Sequence, residues 1–211
     1  MLVRLVKLVV VLLAAVGLVS VAGAIWFASG GISARPSPSA FETAVARSLR
    51  SSAIPRDARR RSNPLARTDA VVREGMAHFA DHCAVCHGNN GSGDTTFGSG
   101  LYPRPPDLRL EATQELTDGE LFYIIENGVK LTGMPAFGDG TDEGAHGTWG
   151  LVHFIRHLPK ISEEELREME MLNPRPPEEW RQMEEERKFL EGEGEAPKPA
   201  PKPHIHKHGD R

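Results

Sequence analysis

Cysteine is nearly absent from this chain: 211 residues contain two, Cys83 and Cys86. A disulfide between them would close a small strained ring and stabilise little. Structural zinc wants four ligands, usually from two such pairs, and there is no second pair. Basic charge is missing where a nucleic-acid-binding module would carry it. Residues 68–160 hold six Lys/Arg against thirteen Asp/Glu, a net of −7, and residues 161–211 have a net of −5. Such a surface turns away from nucleic acid and anionic lipid and steers a partner with a basic face towards itself. The excess of positive charge lies instead in residues 1–67, ten Lys/Arg against two Asp/Glu. Charge of either sign is missing from Leu8–Ala28, a run of 21 residues.

What is present is Cys83-Ala84-Val85-Cys86-His87. A dithiol redox motif of the thioredoxin type normally opens a helix after a strand, and no strand pattern precedes Ala70–His82. The histidine directly after the second cysteine makes the run the attachment signature of c-type haem. Two thiols on one turn are placed to add to the two vinyl groups of a porphyrin, and the imidazole on the same turn is placed to reach the iron.

A sixth ligand then has to come from further along the chain. Gly133-Met134-Pro135-Ala136-Phe137 puts a thioether on a proline-stiffened loop. Met76 is too near Cys83 in sequence to reach the far face, and Met169, Met171 and Met183 lie in a polar tail. Met134 is therefore the expected ligand opposite His87, in keeping with the His/Met pairing found in c-type haems. His146, His153 and His157 are its competitors.

Residues 69–160 resemble a class I monohaem cytochrome c domain, and more than the haem motif carries the resemblance. Gly75, Phe79 and Cys83 stand at four-residue steps, so Gly75 and Phe79 share a helix face. The resemblance implies that this glycine and aromatic cross a C-terminal helix at close range, an approach that only a residue without a Cβ permits. Trp149–Leu158 is that helix, with Leu151, Phe154 and Leu158 on one stripe and Pro159 ending it. Tyr102–Leu108 resembles the family's proline-containing segment, in which a proline carbonyl accepts the Nδ1 hydrogen of the ligand histidine; Pro103, Pro105 and Pro106 are all candidates. Thr117-Asp118-Gly119-Glu120 is a capping box that predicts a helix over Asp118–Asn127. The fold class implied is all-α: a small helical domain around one covalent haem.

The predicted organisation has five parts. Residues 1–29 form a signal-anchor or transmembrane helix; its apolar run at about 1.5 Å per residue spans roughly 30 Å, a bilayer's hydrocarbon thickness. Cleavage near Ala22-Gly23-Ala24 is the alternative to an uncleaved anchor. Residues 30–67 read as a linker, with a capping box at Ser39–Glu42 and a basic stretch through Arg56, Arg59, Arg60, Arg61 and Arg67. Residues 68–160 form the cytochrome domain. Residues 161–191 form an acidic helical extension opened by a capping box at Ser162–Glu165, and residues 192–211 a disordered Pro/Lys/His tail. His204, His206 and His208 give that tail the means to bind Cu(II), Ni(II) or Zn(II) weakly.

The expected function is electron carriage. One haem c, held by Cys83, Cys86, His87 and Met134, with iron ligands His87 and Met134, cycles between Fe(II) and Fe(III) in a domain tethered to the periplasmic face of a bacterial inner membrane. Its expected partners are redox proteins, chiefly membrane complexes. The alternatives are a fixed haem subunit of a larger membrane oxidoreductase, or a haem sensor or peroxidase with a labile sixth ligand.

Overall fold

The computed structural model describes residues 2–29, 33–175 and 177–192. The three histidines of the C-terminal tail, His204, His206 and His208, lie outside the described residues. Ten α-helices follow in order: α1 (Leu2–Ser29), α2 (Ala40–Ala53), α3 (Arg56–Arg59), α4 (Asp69–His82), α5 (Ala84–His87), α6 (Glu111–Gln114), α7 (Asp118–Asn127), α8 (Asp142–His157), α9 (Glu163–Leu172) and α10 (Pro177–Leu190). Two short 3₁₀ turns, Gly98–Gly100 and Leu158–Lys160, complete the set, and no strand occurs among the described residues. The all-α class read from the sequence holds.

Local chemistry places these helices. The three capping boxes form where the sequence predicts: Ser39 with Glu42 opens α2, Thr117 with Glu120 opens α7, and Ser162 with Glu165 opens α9. Each pairs two backbone N–H groups that the first turn would otherwise leave without partners. The last helix of the core, α8, starts seven residues earlier than the sequence suggests. Thr141 caps it by accepting from the Gly144 amide at 3.0 Å, and Asp142 and Glu143 sit in its first turn. Gly144 and Gly147 hide that turn from a propensity reading.

The core is the crossing of α4 and α8. Phe79 and Phe154 meet there with ring centroids 5.2 Å apart, and both are buried. Gly75 makes the crossing possible: a Cβ at this position would collide with the carbonyl oxygen of Gly150 and stand 2.6 Å from its carbon. The reverse is not true. A Cβ at Gly150 would find the Gly75 Cα at 3.7 Å, an ordinary contact. Gly75→Ala is therefore expected to cost about 3 kcal/mol, since backbone cannot step aside as a side chain can. Gly150→Ala is expected to be neutral or to gain up to about 1 kcal/mol of helix propensity. Denaturant unfolding of the two variants checks this; equal losses would mean that the two helices do not cross in backbone contact at Gly75.

Segments on both sides of the core wrap it. The sequence reads as linker as far as Arg67, but Ile54 and Ala58 are buried, and the second half of that stretch lies against α7 and α8. Asn63 Nδ2 donates to the Trp149 carbonyl at 2.9 Å, and Thr117 Oγ1 donates to the Arg59 carbonyl at 3.1 Å. The Arg61 guanidinium lies 4.3 Å from the Phe122 ring centroid, and Phe122 in turn stacks on Trp149 at 4.1 Å. Backbone carbonyls and a cation–π contact carry this docking, so no apolar periodicity announces it.

At the other end, α9 packs across α4. Met169, which reads as part of a polar tail, is 0% exposed in the core. Asn173, in the amide orientation that satisfies its neighbours, donates to the Ala80 carbonyl at 3.1 Å and to Asn89 Oδ1 at 2.9 Å. The His157 Nε2 atom and Glu165 Oε1 lie 2.7 Å apart. Burial pushes the Glu165 carboxyl up, but hydrogen bonds from the Ser162 amide and hydroxyl and from His157 outweigh it and hold it below the usual range. A carboxylate whose folded pKa is depressed contributes stability above its unfolded pKa and loses it as pH falls through the folded value. The docking of α9 is thus expected to be intact at pH 6 and to weaken below about pH 4.5. Hydrogen exchange of the α9 amides across that range, with Glu165→Gln as the pH-insensitive control, checks this.

Candidate haem site

The Cys83–His87 turn sits at the C-terminal end of α4, the helix that Gly75 locks against α8. Cys83 is the C-cap of α4, its N–H donating to the Phe79 carbonyl at 2.9 Å, and α5 supplies Cys86 and His87 within the next turn. Gly88 then leaves the helix with φ +73°, a conformation that glycine adopts without strain.

The loop that follows is tied back onto this turn. Thr95 Oγ1 bonds the Val85 carbonyl at 2.9 Å and accepts from the Gly98 amide at 2.8 Å. Gly93 N–H donates to the His87 carbonyl at 2.7 Å, and Leu108 N–H donates to the Gly91 carbonyl at 2.8 Å. The chain passes so close to Pro105 at Gly93 that a Cβ there would strike the proline carbonyl. Thr95 is a part of the site that sequence reasoning missed; a threonine in a glycine-rich loop carries no signal of which carbonyls it will meet.

Both thiols are free. Burial, and secondarily the neighbouring Cys86, push the Cys83 thiol up to about 12; burial pushes Cys86 up as well. Such thiols stay protonated at neutral pH. A catalytic dithiol needs the opposite, a thiolate favoured by its surroundings, and this burial, with no strand among the described residues, speaks against the thioredoxin-like reading.

His87 is half-buried beside Phe79, with ring centroids 6.3 Å apart. Burial lowers its pKa and the Pro106 carbonyl partly offsets this, so the ring is neutral and able to give a nitrogen lone pair to a metal. Of the three candidate prolines, Pro106 is the one whose carbonyl bears on the imidazole electrostatically. The Nδ1 atom is a buried polar atom without a hydrogen-bond partner.

Met134 lies on the loop between α7 and α8, and main-chain bonds fix that loop. Gly128 ends α7 with φ +64°, and a Cβ on it would stand 2.6 Å from the Pro135 carbonyl carbon. Val129 N–H donates to the Met134 carbonyl at 3.1 Å, Phe137 N–H to the Ile125 carbonyl at 3.1 Å, and Gly138 N–H to the Glu126 carbonyl at 3.1 Å. Met134 and Cys83 both border the main hydrophobic cluster. Leu101, beyond the glycine-rich loop, touches this methionine loop: a Cβ on Gly133 would come within 2.8 Å of it.

The competing histidines are engaged elsewhere. His153 Nε2 lies 2.9 Å from the Leu65 carbonyl, His157 pairs with Glu165, and His146 faces Glu74 at 3.7 Å. Among the described residues, no cluster of three or more His, Cys, Asp or Glu forms a separate metal site.

These residues fit a haem c. The donor set is two protonated thiols and a neutral imidazole on one turn, with a thioether on an anchored loop beside the same cluster. Val85 and Phe97 meanwhile leave large apolar surfaces exposed on the segments that frame the cysteine turn. Residues 70–155 match the family model described as cytochrome C oxidase, cbb3-type, subunit III. This segment is a c-type cytochrome domain. The cytochrome domain thereby belongs to the haem-carrying electron-transfer proteins. No curated protein matches the chain. Outside the domain, Leu2–Ile25 of α1 is long and apolar enough to cross a membrane.

Proposed function

We propose that this protein is a membrane-tethered electron carrier with one covalent haem c, bonded through Cys83 and Cys86, with His87 and Met134 on the two faces of the iron. The observation that carries the reading is the pairing of a half-buried, neutral His87, on the turn that bears both thiols, with a Met134 loop fixed to α7 beside the same hydrophobic cluster. The bound haem supplies a one-electron Fe(II)/Fe(III) couple. The chain's residues hold it, shut out exogenous ligands and set its potential. The Pro106 carbonyl is the acceptor that the His87 N–H would use, which would orient the ring and make it a stronger donor. Met134 would close the iron to oxygen or peroxide, and its thioether would favour the reduced state. No proton has to move for an electron to pass, so no acid–base residue is required.

The tether is α1, uncleaved, in a bacterial inner membrane, with the haem domain on the periplasmic side. The acidic domain, net −7 over residues 68–160, suits a donor or acceptor with a basic face. The match to an oxidase subunit supports a second reading, in which the chain is a fixed haem subunit of a membrane oxidoreductase.

Two measurements on the full-length, haem-loaded protein test this. The reduced protein is expected to refuse carbon monoxide at neutral pH; ready binding would overturn the electron carrier in favour of a sensor or peroxidase with a labile Met134. Mild detergent extraction from native membranes is expected to release the protein alone, whereas a stable co-migrating complex would establish the fixed subunit instead.

A further inference from the structure

Helix α2 is amphipathic with its faces reversed. Its half-buried positions are polar: Glu42, Thr43 and Arg50. Its exposed arc carries Phe41, Ala44, Val45, Ser48, Leu49 and Ser52, all exposed in the structure. At 3.6 residues per turn these six positions fall on an arc of about 140° that holds no charge. Phe41 is 75% exposed and Leu49 64%. A helix that only covered the cytochrome domain would turn this arc inward.

Something other than the domain therefore covers it, and the chain itself indicates what. Ten residues separate the end of α1 at Ser29 from the start of α2 at Ala40. Fully extended, they reach at most about 35 Å, so a membrane that takes up α1 also holds α2 within reach of its surface. The charge agrees. Residues 1–67 have a net of +8, with Arg35 and Arg47 next to and on the helix, whereas residues 68–160 have a net of −7. Anionic headgroups attract the first and repel the second.

We propose that α2 lies along the membrane surface on the side where α1 emerges, with Phe41, Val45 and Leu49 in the boundary between headgroups and acyl chains, and that it sets the orientation of the haem domain. The proposal rests on the reading that α1 is a membrane tether. The coupling to the domain is a hydrogen bond, Tyr102 Oη donating to Glu42 Oε1 at 3.0 Å. Tyr102 stands on the segment between Leu101, which touches the Met134 loop, and Pro106, whose carbonyl bears on His87. A lipid-seated α2 thus holds the haem-side loops at a fixed attitude to the bilayer, while the acidic domain stands off from it.

The test uses full-length, haem-loaded protein in vesicles of phosphatidylethanolamine and phosphatidylglycerol. A nitroxide label is placed at Val45→Cys in one sample and at Ala46→Cys, outside the apolar arc, in another. Unsubstituted protein serves as the labelling control for Cys83 and Cys86. The Val45 label is expected to be several-fold less accessible to a water-soluble nickel chelate than the Ala46 label and more accessible to oxygen, with the contrast reduced in neutral phosphatidylcholine. Equal accessibility at the two positions, in protein that floats with the vesicles, overturns the proposal and leaves the tether standing. Protection that grows with protein density and brings no oxygen gain also overturns it, because a second copy would then cover the arc. Protein that fails to float removes the tether itself, and the proposal with it.

Discussion

A chain carrying both Cys83→Ala and Cys86→Ala is expected to lose cooperative thermal unfolding altogether. The haem domain is about 92 residues, a size at which a single hydrophobic core is marginal. The wrapping segments add Ile54, Ala58 and Met169 to the buried set, yet large apolar side chains still face solvent around the site: Val85 at 60% exposure, Phe97 at 59% and Leu131 at 98%. Apolar surface left open around the cysteine turn and the methionine loop is the pattern of a core completed by an apolar cofactor. Without the two thioether bonds the porphyrin is held only by its ligands, and most of the roughly 5–15 kcal/mol that keeps a domain folded goes with it. Circular dichroism with heating checks this. A native-like spectrum and a sharp transition in the double variant would mean that the polypeptide core suffices, and that α9 and the segment around Ile54 do more than closing the ends of the fold.

Much of this arrangement is legible in the sequence, where the chemistry is local. The capping boxes at Ser39, Thr117 and Ser162 each need only four consecutive residues, and all three form. The Cys83–His87 turn is equally local. The Gly75–Phe79 face and the α8 stripe require one inference about crossing helices, and the Gly75–Gly150 contact bears it out. What stays hidden is docking by groups without a pattern. Asn63 and Thr117 reach backbone carbonyls, Arg61 lies over an aromatic pair, and Met169 enters the core as a lone apolar residue on an acidic helix. The choice among Pro103, Pro105 and Pro106 is hidden for a related reason. It turns on which carbonyl the loop aims at His87, and Gly93, pressed against Pro105, sets that aim from twelve residues away.

Met134→Ala is expected to keep the haem and the fold but to change the electronic character of the site. The loop that carries Met134 is held by main-chain bonds from Val129, Phe137 and Gly138, none of which involves the thioether, so truncation leaves the backbone in place. The Met–iron charge-transfer band at long wavelength should vanish, carbon monoxide should bind the reduced form, and the potential should fall. Axial ligation moves haem potentials over a range of about 0.8 V across proteins, so the shift should be large against the spread that surface substitutions produce. His146, His153 and His157 supply the contrast. Each faces a partner other than the cysteine turn: Glu74, the Leu65 carbonyl and Glu165. Alanine at any of these positions should leave the band intact and cost stability at most. If the band instead survives in Met134→Ala and disappears in one of the histidine variants, that imidazole is the sixth ligand, and the high-potential carrier gives way to a bis-histidine haem of lower potential.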